Sequence, residues 1–469
     1  MLGFPPDFMD RIAVTVTSSL HSLGGVRFVS AELAREGEFV PDSFRLTVEA
    51  TNIDDFNALF SQWRGETLNN TVVTGRLANN DSVSIRLGPN TKAEPEGDTR
   101  LALVFVVQDY EVRTTEEMGR GAEYQFKLTN LQIEPSGDEG AETRLSPDPA
   151  AGGYTRHFRV NKIQLTWAGR QWSLTDDFFA EWQNLSDSDK SKTLLSGTLS
   201  TVSVTDDPVA EEKEVAAIAD DLAFLLSFAL GRDIKWVTCH SLTAAGRLAK
   251  SQSRFLCLST FGAGGFPPLG NWTRGQLRGF LETAYASYST DPEWWRRTLD
   301  LFSQVVDTRA ADLRAVIVNI LLDRASTRIL QGKDLGNQIE AGLNAKLDDP
   351  AFKQELQKLL TSLTAKWAPD RTDRLIETIK QWNSSPSFPK KIAAAYQEVR
   401  LEPPKGKMLT KRHLLVHLGD PPDDGSIFEY SLELECRVLM LLLRLLNYEN
   451  QFFHPFFKRV TSLREHLVS

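Results

Sequence analysis

Up to about residue 200, apolar side chains alternate with polar ones or gather in short β-branched runs. These runs fall at residues 12–16, 44–50, 72–77, 82–87, 101–107, 124–133 and 157–167. A period of two places alternate side chains on one face, which is the pattern of half-buried strands. Stretches rich in turn residues separate them, at 88–98 and 136–153. The second carries Gly137, Gly140, Pro147, Pro149, Gly152 and Gly153, and reads as a long exposed loop. Many strands without regular helices predict an antiparallel sandwich or barrel-like domain over residues 1–205.

The period then changes. Val215, Ile218, Leu222, Leu225, Leu226 and Ala229 recur at helical spacing, and Gly231 stands where a helix C-cap belongs. A mixed connecting region covers 206–305, with short strands expected at 233–237 and 254–259 and a loop at 262–270. From Asp291-Pro292-Glu293, a good helix start, the pattern is helical almost to the end. Residues 308–330 form a long amphipathic helix whose apolar side holds Leu313, Val316, Ile317, Ile320, Leu321 and Leu330. Further helices are expected at 350–367, 370–382, 389–400, from Leu409 onward, and at 427–447. The fold class is thus α+β and multidomain: a β-rich N-terminal domain, then an all-α bundle over 306–469.

Composition narrows the setting. The chain has 469 residues, 41% hydrophobic and 25% charged, an ordinary globular balance. Its longest apolar run, from Val438, is broken by Arg444 far short of a bilayer's thickness, so no membrane association is expected. The start of the chain has no secretory pattern. Cys239, Cys257 and Cys436 are odd in number and far apart, which supports neither a disulfide framework nor a zinc ribbon and suits the cytoplasm. A net charge of −9 excludes a protein that coats nucleic acid over its whole surface. Locally the sign reverses. Between Ser387 and His417 stand Lys390, Lys391, Arg400, Lys405, Lys407, Lys411 and Arg412 against only Glu398 and Glu402.

That basic stretch ends in Lys411-Arg412-His413-Leu414-Leu415-Val416-His417-Leu418-Gly419. On a helix, Arg412 and His417 are about one and a half turns apart. A fixed cation beside a titratable imidazole suits phosphodiester chemistry: Arg binds phosphate oxygens bidentately, and His moves protons near neutral pH. Thr410 can cap the helix start, adding backbone N–H groups and a favourable dipole for an anion. The competing reading makes His417 an end-of-helix residue and pairs Arg412 with a carboxylate such as Glu435. A looser second match, Arg459 and His466, lies in the last dozen residues, where fraying is expected, and reads as coincidence. Trp294-Trp295-Arg296-Arg297 could stack bases but reads better as packing. Gly262-Ala263-Gly264-Gly265 lacks the ending of a phosphate loop, and Cys239-His240 with Cys257 lacks metal-ligand spacing.

Arg412, polar His413, three aliphatic residues and His417 resemble the Arg-polar-x3-His signature of the HEPN superfamily. The long helix before them and the helix from Phe428 to Asn447 resemble the first and last HEPN helices. Leu225-Leu226-Ser227-Phe228-Ala229-Leu230-Gly231-Arg232 is similar to a segment of ApeA-like proteins, prokaryotic anti-phage proteins with a β-rich N-terminal and a HEPN C-terminal domain. The resemblance implies a metal-independent endoribonuclease of abortive-infection defence, without cofactor, working as a homodimer through its helical domain and released by an unknown phage-derived trigger. Arg412 would hold the scissile phosphate, His417 would be general acid or base, and His413 would position the phosphate or Arg412. Asp323, on the first long helix, would face this site or pair on the surface. Some HEPN toxins carry a modifiable Tyr two residues after the His, whereas Gly419 stands there in this chain. The alternative is a HEPN module that only dimerises or binds nucleotide or nucleic acid, with the β-rich domain as sensor.

Overall fold

The computed structural model describes residues 12–13, 15–16, 26–34, 43–50, 72–77, 80–95, 100–133, 141–148, 153–176, 195–254, 268–269, 274–308, 310–333, 341–363, 369–384, 387–404, 427–454 and 459–468. The chain divides into two compact units, 1–285 and 286–469.

The first unit is built on one antiparallel sheet. Its strands are β1 (Ile12–Ala13), β2 (Thr15–Val16), β3 (Val26–Ala34), β4 (Ser43–Ala50), β5 (Val72–Arg76), β6 (Ser82–Pro95), β7 (Arg100–Arg113), β8 (Glu123–Thr129), β9 (Ala141–Asp148), β10 (Gly153–Trp167), β11 (Arg170–Asp176), β12 (Leu195–Val202), β13 (Trp236–Leu242) and β14 (Leu248–Arg254). Strand β7 is the branch point. One edge pairs with β6, while the other pairs first with β4 and then with β14. From β14 the order runs β13, β8, β12, β11, β10, β9. The β13–β14 hairpin therefore enters the sheet between β7 and β8, although more than a hundred residues separate it from them.

Three expectations change here. The turn-rich stretch after Leu87 stays extended as far as Pro95, because β7 offers a pairing edge and bulges absorb the poor strand formers. The expected loop at 136–153 contains β9, which pairs with β10. The strands expected at 233–237 and 254–259 are displaced: β13 and β14 occupy 236–242 and 248–254, and residues 255–259 lie outside the described set. The polar Leu248–Arg254 has no apolar alternation to announce it, and its pairing comes from two neighbouring strands.

Alternate side chains enter the core as period two requires: Val83, Ile85 and Leu87 from β6, Tyr124, Phe126 and Leu128 from β8, Trp172 and Leu174 from β11. Phe126 meets Trp236 edge-on at 5.3 Å. Helix α1 (Pro208–Leu230) packs on β8 and β13 with Val215, Ala219, Leu222, Leu225, Leu226 and Ala229 buried. Each buried valine or leucine among them contributes about 1.5–3 kcal/mol. Asp207 caps its start by accepting from the Ala210 N–H at 3.1 Å, and Gly231 ends it with φ 61°, as its glycine predicts.

Helix α2 (Arg274–Tyr288) holds the division between the units. The second unit continues with α3 (Pro292–Asp307), α4 (Ala311–Ile329), α5 (Ala341–Asp348), α6 (Pro350–Leu363), α7 (Pro369–Ser384), α8 (Phe388–Glu398) and α9 (Ile427–Leu445). Helix α4 is central, packed by α3, α8 and α9. Helix α9 is buried along most of its length, with Leu434, Val438, Leu441 and Leu442 fully buried. Among the described residues, no helix is long and apolar enough to cross a membrane.

Two departures matter for function. The apolar side expected for α4 is partly outward: Leu313 and Ile320 are each 52% exposed, while Arg314, Asn319 and Ser326 are buried. The end of the chain is neither helical nor frayed. Strands β15 (Gln451–His454) and β16 (Arg459–Ser462) form a hairpin, followed by a 3-10 turn (Leu463–His466) with Leu463 fully buried. The Val468 N–H donates to the Arg400 carbonyl at 2.8 Å and fastens the tail.

Candidate functional site

Arg412, His413 and His417 lie at 405–426, outside the described residues. The described chain reaches Pro404 on one side and resumes at Ile427, the first residue of α9. What can be built is the polar framework that α4 shares with its neighbours.

Arg314 on α4 reaches Glu435 on α9, its Nε donating to Oε2 at 3.0 Å and its second guanidinium nitrogen to the same oxygen. Five residues on, the Asn319 amide donates to the Tyr430 hydroxyl at 3.2 Å. The partners descend along α9 as they ascend along α4, so the two helices run antiparallel. Burial pushes the Glu435 carboxyl above the usual range, although Arg314 pulls it down. Among the described residues Glu435 is the partner of Arg314, while the Arg412 pairing weighed for it lies outside the described residues.

Asp323 accepts from Lys391 of α8 at 2.9 Å, so the acid expected near the site pairs with the first half of the basic stretch. Arg324 donates to the Thr298 hydroxyl at 2.7 Å, and Arg328 to Asp291 at 3.0 Å. Both guanidiniums lie near the Trp294 ring, at 5.5 and 5.3 Å from its centroid. Trp295 is buried, its Nε1 donating to the Ser287 carbonyl at 2.9 Å. The adjacent tryptophans therefore divide between core and a half-buried cationic groove, as packing predicted. In the first unit, Cys239 and His240 are buried side by side on β13, and burial pushes the Cys239 thiol up, out of reach of nucleophilic use near neutral pH. Cys257 and residues 262–267 lie outside the described residues.

A second cluster gathers at the chain's end. His454 stands directly across the hairpin from Arg459, and Phe452 across from Thr461. The ring of His466 comes within 6.2 Å of the His454 ring, and Phe452 lies 6.0 Å from both. Arg437 of α9 is anchored by donating to the Glu402 carbonyl at 3.0 Å. Burial depresses the His454 imidazole to about 4, assisted by His466, Arg437 and Arg459. His466 is lowered by burial and by Arg437, with Glu465 and Glu402 pulling the other way. Arg459 stands opposite His454 in the hairpin register, and His466 meets His454 rather than Arg459. His454 escaped the sequence reading. The alternation of Phe452, His454, Arg459 and Thr461 about a short connection was the available hairpin signal.

Comparison of the chain with protein-family models, with curated proteins and with solved structures found no match in any of the three.

Proposed function

We propose that the chain is a metal-independent endoribonuclease effector of prokaryotic anti-phage defence, with a HEPN-type helical domain following a β-rich sandwich or barrel-like domain. The observation that carries this reading is the segment from Lys411 to Gly419, where a fixed cation and a titratable imidazole sit at the HEPN spacing. Its setting supports it. Helix α8 precedes the segment in the chain, α9 begins after it at Ile427, and both pack on the long helix α4. In this reading Arg412 neutralises the scissile phosphate. His417 takes the proton of the neighbouring 2′-hydroxyl or returns one to the leaving oxygen. His413 orients the phosphate or Arg412. Each copy supplies half of a composite site, so the working form is a homodimer joined through the helical domain. The β-rich domain restrains or senses, and an infection-derived trigger releases it.

The test is an RNA-degradation assay on purified full-length chain, with and without metal chelator. His417→Ala and Arg412→Ala each lower cleavage by at least about a hundredfold, the scale of lost acid–base catalysis, with circular dichroism unchanged. Cleavage persisting in both variants would assign the activity elsewhere. RNA binding without turnover in the wild type, weakened by Arg412→Ala, would make the domain a binding module.

A further inference from the structure

The hairpin at the end of the second unit carries a cluster built from residues other than Arg412 and His417. We propose that His454 and His466, with Arg437 and Arg459, form a second anion site that takes a phosphate group.

The argument is geometric first. Two elements deliver three of the side chains to one place, β15 giving His454 and β16 with its 3-10 turn giving Arg459 and His466, while Arg437 of α9 bears on both imidazoles. Opposed residues of an antiparallel pair project from the same face, so Arg459 flanks His454. His466 faces His454 across 6.2 Å, and the Phe452 ring forms the apolar floor beneath both. The backbone is fixed: Phe452 and Leu463 are fully buried, and the Leu463 N–H donates to the Asn450 carbonyl at 3.0 Å. Access differs among the four. His454 is only 7% exposed, His466 and Arg437 are half-buried, and Arg459 is exposed, so the cluster opens toward Arg459.

The charges say what chemistry fits. Two guanidiniums bear on two imidazoles that are themselves neutral near pH 7. Two carboxylates face His466: Glu465, which accepts from the Thr461 hydroxyl at 3.3 Å, and Glu402. The charged groups that bear on His454 are the cations Arg437 and Arg459. A cation would be repelled there. A tetrahedral oxyanion would receive charge-assisted bonds from Arg459 and Arg437. It would also reverse the electrostatic penalty on the imidazoles, so each could take up a proton and donate to it. Anion binding and proton uptake are then linked, and the site tightens as pH falls. The phosphate could belong to an RNA backbone or be free inorganic phosphate.

The experiment uses the full chain labelled at histidine Cε1, with His454→Gln and His466→Gln assigning the two resonances. Each imidazole is titrated alone, with about 10 mM inorganic phosphate, and with an uncleavable 2′-O-methyl oligoribonucleotide, concentrations suited to millimolar affinity. Phosphate or oligonucleotide should raise the His454 midpoint by a unit or more, corresponding to about tenfold tighter anion binding to the protonated form. A rise with phosphate alone marks a free-phosphate site, and a rise with the oligonucleotide alone marks an RNA-backbone contact. Arg459→Gln, at an exposed position, should reduce the rise, and adding Arg437→Gln should abolish it. Midpoints unmoved by both anions overturn the proposal, as does an equal rise in the arginine variants. None of the four residues proposed here belongs to the set proposed for cleavage, so the same rise is expected in His417→Ala.

Discussion

Among the described residues each unit buries an arginine–glutamate pair, and the two pairs behave oppositely. In the first unit Glu211, 5% exposed, is held by Arg170, by the Ser203 hydroxyl at 2.6 Å and by the Val204 N–H at 3.3 Å. Burial would raise its carboxyl, but these donors together lower it. In the second unit Glu435, 2% exposed, has Arg314 as its donor among the described residues, and burial wins. An ion pair alone does not offset desolvation in a packed interior; a carboxylate supplied with further donors does. The first pair therefore acts as a joint between α1 and the sheet, and the second is a cost built into the α4–α9 seam.

The sharpest way to break this contrast is to remove one partner. Arg314→Met should destabilise the chain by about 3–5 kcal/mol, because Glu435 is left buried and unpaired. Adding Glu435→Leu should recover most of that loss. Urea unfolding followed by a helix-sensitive signal reads both, and a double variant as unstable as the single would refute the assignment. Arg170→Met should cost less, about 1–3 kcal/mol, since Glu211 keeps its other donors. Gly197→Ala belongs to the same range, about 1–3 kcal/mol. A Cβ there would stand 2.5 Å from Leu131 Cδ2 and 2.9 Å from its Cβ, within a tightly filled strand.

Acidity sharpens the comparison further. The lowered Glu211 contributes stability that is present above about pH 4.5 and is lost as pH falls through its folded value. The raised Glu435 does the reverse, costing stability as pH rises through its folded value. His454 resembles Glu211 in sign: its neutral burial is harmless above 6.5, and stability drains as pH falls from there toward 4. Glu211→Gln and His454→Gln should each flatten the acid limb of the stability profile, and Glu435→Gln should flatten the opposite slope. The smallest effect is expected on the outer side of α4, where Leu313→Ser and Ile320→Ser should stay within about 0.5 kcal/mol. A loss of several times that would place their side chains in a packed interface.

The sequence made caps and long helices plain, because their signals are local: Asp291 and Gly231 mark their helix ends without reference to the rest of the molecule. It misjudged what depends on distant partners. Strand β9 sits in a stretch rich in glycine and proline, and β14 is mostly polar; both are strands because an edge awaits them. The α4 face was misread because its seam with α9 is lined by Arg314 and Asn319, so hydrophobic period pointed partly outward. Of the candidate site, Asp323 is placed against Lys391, while Arg412, His413 and His417 lie among residues not described. The histidine cluster was half legible, since spacing pairs Arg459 with His466 but only the folded hairpin adds His454.

The β13–β14 hairpin, seated between β7 and β8, has a consequence for synthesis. While the ribosome has delivered only the first two hundred residues, β7 lacks a neighbour along the second half of one edge and β8 lacks one along a whole edge. Unpaired edges of that kind recruit other chains. Closure must wait for residues up to Arg254, a long-range step that slows folding and exposes the nascent sheet to aggregation. A fragment ending before that hairpin would be expressed as an open sheet, so a β-rich piece intended for separate study should extend through residue 285.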